Sequence, residues 1–533
     1  MSDTRGERGE QLVLAIDLGT GGPKVGFVSL TGKVAWQDHY PVPTVRFPKG
    51  GAEQDADAWW TIICDGVRKG IASGDVRADA VVAVAVTGQW DSTVPVDAAG
   101  VPVGPCILWQ DYRGAKHVNE RFAGIAAGYK PSRALEWVRK TGGVPGTTDV
   151  VAHILYLEHD RPEIAGAARW YLEPVDYLTM RFTGEATASP ASMTAAWLTD
   201  NRDLGRMSYD PSLVAKSGVP ADKLPPLFPT GSVIGTVRDD VATELGLPAG
   251  VQVVAGMTDL HAAALGSGSL GDFETHMALS TTAWISAPVP FKKTDVFHQI
   301  ATIPGFVGGK YLIVDNHDTG GVCLEWLRDN VLTEPGDRPG SYDALTELAA
   351  QSPPGSNGII FTPWLKGNRT PVSDGHARAG FHNLSLTTTR ADMVRAVLEG
   401  VAYNNLWLHE VVEKFAKRRL DPIRVVGGGA ASRLWCQIHA DVMDRTIERM
   451  AEPLHAQLRG MGLAAGIALG AVQQSEVRDL VTVDGVFTPD PAARDEYARL
   501  YAEFPKLYKA QKGMFARLNS TKHRAKAAAK VAG

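Results

Sequence analysis

Long apolar runs, net positive charge and clustered cysteines are all missing from this chain of 533 residues, and each absence removes a class of function. Apolar stretches such as 81–86 (VVAVAV) stop far short of the roughly 20 residues that a bilayer-spanning helix needs, so no membrane partner is expected. The opening MSDTRGERGE is polar, with no apolar signal segment ahead of Leu12, which points to a cytoplasmic protein. A formal net charge of -5 offers no basic footprint for nucleic-acid phosphates; a small-molecule ligand fits better. Cys64, Cys106, Cys323 and Cys436 lie far apart and form no Cys-x-x-Cys pair, which argues for reduced core thiols over a zinc knuckle or redox motif. His409-Glu410 sits in a His-Glu-x-x-Glu stretch without the second histidine of a helical zinc site, and it reads as surface helix.

What is present is ordinary globular composition, 44% hydrophobic and 21% charged, in a chain too long for one hydrophobic core. Two domains are expected. Residues 12–17 (LVLAID) run into the Gly-rich turn LGTGGPK, and an extended pattern resumes at 25–30, so this region reads as a β-hairpin. A second run of the same kind spans 276–287, with Thr281-Thr282 at its turn, and the chain echoes itself. Strand patterns at 80–86, 251–255 and 423–426, and helical patterns at 151–159 and 391–416, make the order mixed α/β. Thr389 and Asp392 supply a capping-box start for the long helix. From Lys506 to Lys530 the chain is basic without an acid, a solvated helix or loose tail rather than a binding arm.

Three stretches carry chemistry. Asp17-Leu18-Gly19-Thr20-Gly21-Gly22-Pro23-Lys24 joins a carboxylate at a strand end, freed backbone amides, a hydroxyl and a lysine, a set suited to a magnesium–phosphate complex; a hairpin turn with a buried cap is the plainer alternative. Gly427-Gly428-Gly429-Ala430-Ala431-Ser432 follows a strand and opens a helix, which lets a flat ligand or phosphate approach the backbone, although a tight packing turn would also use glycine. Asp259, which ends the Gly256-Met257-Thr258-Asp259 stretch directly after the strand VQVVA, is either a general base at the mouth of a cleft or the cap of the next helix.

Taken in order, these stretches resemble the FGGY carbohydrate kinases over about residues 12–475, closest to the xylulose kinase-like branch. DLGTGGPK resembles the family's first phosphate loop, GGAEQDADAWW its Glu-Gln-Asp segment, GQW (88–90) and ILWQDYR (107–113) its sugar strands, AGMTD (255–259) its catalytic segment, and GGGAAS with Gln437, Ala440 and Asp441 its adenosine region. The resemblance implies an α/β fold of two actin-like, ribonuclease H-like domains around an active-site cleft: 11–263 on the sugar side, 264–476 on the nucleotide side, and 477–533 as a helical extension with a basic tail. It further implies ATP and Mg²⁺ as cofactors and Asp259 as the base that takes the acceptor's proton. Asp17 would orient the metal through water, Gly19, Thr20 and Lys24 would hold phosphates, and Thr281 with Thr282 would form the second phosphate loop. Gly428, Gly429 and Ser432 would lie at the nucleotide. Gln89, Trp90, Asp91, Trp109, Asp111 and Asp259 would contact the sugar, with Gln54 and Asp55 steadying the neighbouring loop.

The pattern is departed from in three places. Gly88-Gln89-Trp90-Asp91-Ser92 stands where xylulose kinases carry Gly-Gln-Met-His-Gly and glycerol kinases Asn-Gln-Arg-Glu. Asp91 can accept from two hydroxyls, which suits a polyol as well as a ketose. Ser280-Thr281-Thr282 replaces Gly-Thr-Ser, which removes a glycine from the second loop, and residues 187–192 (TASPAS) replace Asp-Tyr-Ser-Asp-Ala-Ser. The expected activity is phosphorylation of a ketopentose, xylulose first. The alternatives are a kinase of glycerol, erythritol or another polyol, a nucleotide-binding regulator without phosphotransfer, and a plain actin-like ATPase. A homodimer is left open.

Overall fold

Residues 12–18 are buried at every position, because the strand they form is covered on both faces and so needs no polar alternation. The computed structural model describes residues 10–48, 50–122, 131–334 and 336–520, with 131–133 by backbone alone. The first half supplies β1 (Leu12–Gly19), β2 (Gly22–Ser29), β3 (Val34–His39), α1 (Ala56–Ala72), β4 (Val81–Gly88), α2 (Val150–Asp160), α3 (Pro174–Thr183), β5 (Val233–Thr236), β6 (Gln252–Thr258) and α4 (Asp259–Gly266). The second half supplies β7 (Thr275–Leu279), β8 (Ala283–Ser286), α5 (Arg390–Ala416), β9 (Ile423–Val426), α6 (Arg433–Met443), β10 (Ile447–Met450), α7 (Ala456–Ala468), β11 (Val483–Phe487) and α8 (Phe504–Asn519).

Two sheets follow the same plan. In the first, ordered β5-β6-β4-β1-β2-β3, β1 pairs antiparallel with β2 and parallel with β4, and β4 pairs parallel with β6. In the second, ordered β8-β7-β9-β10-β11, β7 pairs antiparallel with β8 and parallel with β9, and β9 pairs parallel with β10. A hairpin followed by parallel neighbours thus occurs twice, as the echo in the sequence leads one to expect.

Alternate residues of β1 explain the layers. Leu12, Leu14, Ile16 and Leu18 pack with α1 and α3, whereas Val13 and Ala15 join a separate core built on α4 and α7. That second core also takes Ala278 of β7 and Val426 of β9, while Met277, Leu279 and Val425 face α5 and α6. One layer of two helices is therefore shared by both sheets. The small residues of α4 and α7 make this contact a backbone one: a Cβ on Gly266 would lie 1.8 Å from the Ala456 carbonyl oxygen, and one on Gly460 would lie 2.1 Å from that of Ala262. The division expected at 263/264 falls inside α4. A further core of α2, Trp137, Met193 and Leu213 extends the first half as its own lobe.

Two expectations are corrected here. The segment after 476 is not a helical appendage: β11 is an edge strand of the second sheet, and Tyr497, Phe504, Tyr508 and Phe515 belong to its core. Aromatic residues at helical spacing hold α8 down with Trp364 despite its exposed lysines. The tail from 521 onward lies outside the described residues. His409 is not on the surface but fully buried, with Nε2 3.2 Å from Glu413 Oε1. Glu413 also takes Arg445 at 2.6 Å, and α5 starts at the Thr389–Asp392 capping box.

Candidate functional site

The parallel strands β1, β4 and β6 end side by side. Asp17 is opposite Thr87, Leu18 opposite Gly88, and Gly88 opposite Thr258, so the residues that leave these strands emerge at one edge: Gly19 and Thr20, Gln89 to Asp91, and Asp259. Such an edge, outside the carboxyl ends of parallel strands, is where α/β sheets place ligands. Gly88 is required by this crowding, since a Cβ there would lie 2.5 Å from the Leu18 carbonyl oxygen.

The first loop and the segments around Gln89 and Trp109 are tied by hydrogen bonds. The Thr20 hydroxyl donates to Gln89 Oε1 (2.8 Å) and accepts from Trp109 Nε1 (3.0 Å), while Gln54 Nε2 donates to the Thr20 carbonyl (2.9 Å). Thr20 therefore uses its side chain to lock the loop to residues 89 and 109. Lys24 lies 3.4 Å from Asp17, and it is the more exposed of the two. Asp55 caps α1 through the Asp57 and Ala58 amides.

Asp259 is the first residue of α4, whose N-cap is Thr258, so it does not hold the cap position. Its carboxyl is pushed up to about 7, first by burial and then by the charge of Asp17, against an opposing bond from the Leu260 amide. A carboxylate at that value is poised to accept a proton near neutral pH. His261 steadies the turn beneath it: Nε2–H donates to the Pro304 carbonyl (2.8 Å), so Nδ1 accepts from the Thr258 hydroxyl (2.8 Å). Burial holds that imidazole neutral, at about 4.

Asp91 has a left-handed backbone, φ 63°, and Glu173 fixes it by accepting from the Asp91 and Ser92 amides (3.1 and 3.2 Å). Asp91 Oδ1 accepts from the Val150 amide at the start of α2 (3.1 Å). Burial, and then the charges of Asp149 and Glu173, lift the Asp91 carboxyl well above the usual carboxylate range. Trp90 is half-buried at the junction of the central core and the α2 lobe. Asp111, expected among the sugar contacts, faces the wall instead: it is fully buried, accepts from the Ala52 amide (2.8 Å) and pairs with Arg113 at 2.6 Å. Arg113 reaches on to Glu53 (2.6 Å) and the Tyr156 hydroxyl (2.9 Å). A carboxylate so committed shapes the strand and has nothing left for a ligand.

At the turn of the second hairpin Thr281 is exposed and Thr282 half-buried. Neither they nor Ser280 has a positive φ, so a glycine at 280 is not demanded by the backbone. The close approach is met from the other side: a Cβ on Gly320 would lie 2.7 Å from the Thr282 carbonyl, one on Gly321 2.8 Å from that of Ser280, and one on Gly427 2.5 Å from Ser280 Oγ. Gly427 thereby brings the glycine run against the second loop. Gly428 is exposed and Gly429 half-buried, whereas the Ser432 hydroxyl caps α6 through the Trp435 amide (3.2 Å). The Gly427 amide donates to the Pro453 carbonyl (2.8 Å), and the Lys24 charge acts on neighbouring His455, which closes the circle back to the first loop.

Sequence reading missed Asp149, Glu173, Gly320, Gly321 and Arg369. The glycine pair after Asp318-Thr319 was a visible signal; the acids were not, because each sits in an ordinary helix-start context.

The chain matches the N-terminal domain model of the FGGY family of carbohydrate kinases over residues 12–266 and the C-terminal domain model over 266–469. It is 29% identical over 517 residues to the xylulose kinase of Staphylococcus epidermidis, covering 96% of this chain and 99% of that one. It is also 29% identical over 477 residues to the autoinducer-2 kinase of Yersinia enterocolitica, covering 86% of each. The xylulose kinase structure from Rhodospirillum rubrum superposes with a TM-score of 0.79 at 26% identity, over 95% of this chain and all of that one.

Proposed function

This chain belongs to the FGGY family of carbohydrate kinases, and from that premise we propose that it transfers the γ-phosphate of ATP to a hydroxyl of a ketopentose, xylulose first, with Asp259 as the general base. One observation carries the reading. Asp259, whose carboxyl stands at about 7, leaves β6 beside the strand end that delivers Gln89, Trp90 and Asp91. Asp17 and Gly19 end the adjacent strand β1, Thr20 follows at its turn, and Lys24 of β2 lies opposite Asp17.

In this reading the acceptor lies over Gln89, Trp90, Asp91 and Trp109, and its reactive hydroxyl faces Asp259. The carboxylate accepts the hydroxyl proton as the oxygen bonds to phosphorus and the bond to the departing ADP breaks. The lysine and backbone amides of the first loop, with Thr281 and Thr282 from the second, hold the phosphoryl oxygens; positioning and charge stabilisation supply most of the rate. Exposed Gly428 leaves room for the nucleoside, and Gly429 lets the turn close over Leu279, which a Cβ would approach to 2.4 Å. The donor set fits Mg²⁺: two neighbouring acids, Asp17 and Asp259, meet one lysine, Lys24, among the described residues, so a cation is electrostatically welcome. Held through water by Asp17, Mg²⁺ would neutralise charge on the phosphate chain.

A polyol is the second reading, favoured by Asp91, whose Oδ2 stays open to a hydroxyl while Oδ1 holds the Val150 amide. Against a regulator that binds nucleotide without transfer stands the second loop, where Gly320, Gly321 and Gly427 give the backbone the clearance that Ser280 does not. ATP turnover measured against ketopentoses, glycerol, erythritol and longer polyols tests the proposal. Preferential turnover of a xylulose isomer is expected; no activity on any xylulose isomer removes the leading substrate, and nucleotide binding without turnover on any acceptor removes the kinase assignment.

A further inference from the structure

Asp149 stands at the N-cap position of α2, yet its side chain does not cap the helix. The first amide of α2, Val150 N–H, is taken by Asp91 instead (3.1 Å). Asp149 turns the other way, where Oδ2 accepts from the Gly146 amide (2.7 Å) and from Trp197 Nε1 (2.8 Å). The charge of Asp149 acts on Asp91. Asp91 Oδ2 and Asp149 Oδ1 take no backbone amide or hydroxyl donor among the described residues. Both residues keep some exposure, whereas Glu173 below them is 1% exposed.

They sit where two parts of the first half meet. Trp90 and Trp197 are both half-buried where the central core meets the α2 lobe. Asp91 follows by three residues Gly88, the partner of Thr258 and so the neighbour of Asp259 in the sheet. From the other half of the chain, Arg369, 3.5 Å from Asp318, exerts its charge on both Asp91 and Asp149. Asp318 belongs to the segment that runs into Gly320 and Gly321 beneath the second phosphate loop, so this cation comes from the phosphate side of the cleft.

We propose that Asp149 is a specificity-determining residue of the acceptor site: with Asp91 it takes two neighbouring hydroxyls of an uncharged polyhydroxyl acceptor, at the end away from the hydroxyl that faces Asp259. The inference rests on the acceptor position given under Proposed function. Trp197 holds Asp149 in place through its indole N–H, and Arg369 offsets the charge of the pair from the facing domain. An acceptor that lacks one of the two hydroxyls leaves a carboxylate oxygen unpaired, which is the situation in which a polar site discriminates most strongly.

The test uses the full-length protein, ATP and the best acceptor from the panel, together with monodeoxy analogues of that acceptor. In the wild type one analogue is expected to lose at least 100-fold in kcat/KM relative to the parent. In Asp149→Asn the acceptor KM should rise at least tenfold, the KM for ATP should stay within twofold, and the penalty on that analogue should shrink to less than tenfold. Trp197→Phe, which keeps an aromatic ring and removes only the N–H, should raise the acceptor KM by two- to fivefold; it decides the matter if Asp149→Asn does not fold. An unchanged deoxy penalty in Asp149→Asn, or an unchanged acceptor KM in Trp197→Phe, overturns the role of Asp149 while leaving the kinase assignment in place. A wild type that turns over no sugar or polyol overturns both.

Discussion

Replacing Asp259 by Asn separates a catalytic carboxylate from a structural one, because the two roles predict opposite signs for stability. Raising a carboxyl from 3.8 to about 7 means that its charged form costs the folded protein at most about 4 kcal/mol relative to the unfolded chain. The figure is smaller in practice because the side chain is partly open to solvent. Below pH 4 the carboxyl is protonated in both states and contributes nothing. Between pH 4 and 7 the unfolded chain ionises first, so this group lowers stability as pH rises. Above 7 the penalty is constant. Asp259→Asn never ionises, so its melting temperature should equal that of the wild type near pH 4 and exceed it by several degrees at pH 8, read by thermal unfolding across that range. Over the same range wild-type kcat/KM should climb with pH up to about 7, as the base loses its proton. At pH 8 the variant should lose roughly 10²–10⁴ in turnover, equivalent to about 3–5 kcal/mol of transition-state stabilisation. Turnover within tenfold of wild type, or a variant less stable than wild type at pH 8, refutes the general-base assignment and returns Asp259 to a structural role.

Other positions give independent expectations. Thr20→Val leaves Gln89 Oε1 and Trp109 Nε1 without their shared partner; with about 1–3 kcal/mol at stake for each polar group stranded, kcat/KM for the acceptor should fall by at least tenfold in steady-state assays. Gly427→Ala sets a Cβ 2.7 Å from the Leu279 carbonyl at φ 93°, and should both lower the melting temperature and raise the KM for ATP, since the displaced element is the turn beneath the second loop. Gly460→Ala drives a methyl into the Ala262 carbonyl, 2.1 Å away, in the layer shared by both sheets. Denaturant titration should show a loss of about 1–3 kcal/mol or more, and unchanged stability would mean that the two helices separate easily.

Some of this was legible in the sequence for identifiable reasons. Both hairpins were, because a strand buried on two faces is largely apolar and a short turn stops it sharply, glycine-rich after the first strand and Ser280-Thr281-Thr282 after the second. So was α5, whose cap and spacing are local features. The error at His409 has a simple cause: a polar residue on an amphipathic-looking helix defaults to the exposed face, whereas Glu413 and Arg445 give it a buried polar environment. Asp111 was misplaced because sequence cannot say which way a strand-end carboxylate turns, and Arg113, two residues on, claims it. The burial of Phe504, Tyr508 and Phe515 under lysine-rich sequence was missed because the apolar surface that receives them, around Trp364 and Trp407, is contributed by distant segments.

The linear order of Asp17, Gln89, Asp259, Thr281 and Gly428 was by itself enough to determine the family and to nominate Asp259, since those residues need only local turn chemistry to be recognised. Tertiary structure alone decided what surrounds each acid. Asp17, Asp91, Asp111, Asp149 and Asp259 are the same side chain, and their neighbours set them apart: a lysine beside Asp17, a helix amide on Asp91, a guanidinium on Asp111, an indole on Asp149, and burial beside Asp17 with no cap to make at Asp259. Charge and desolvation act through space, so the roles became readable only when three strand ends were laid side by side.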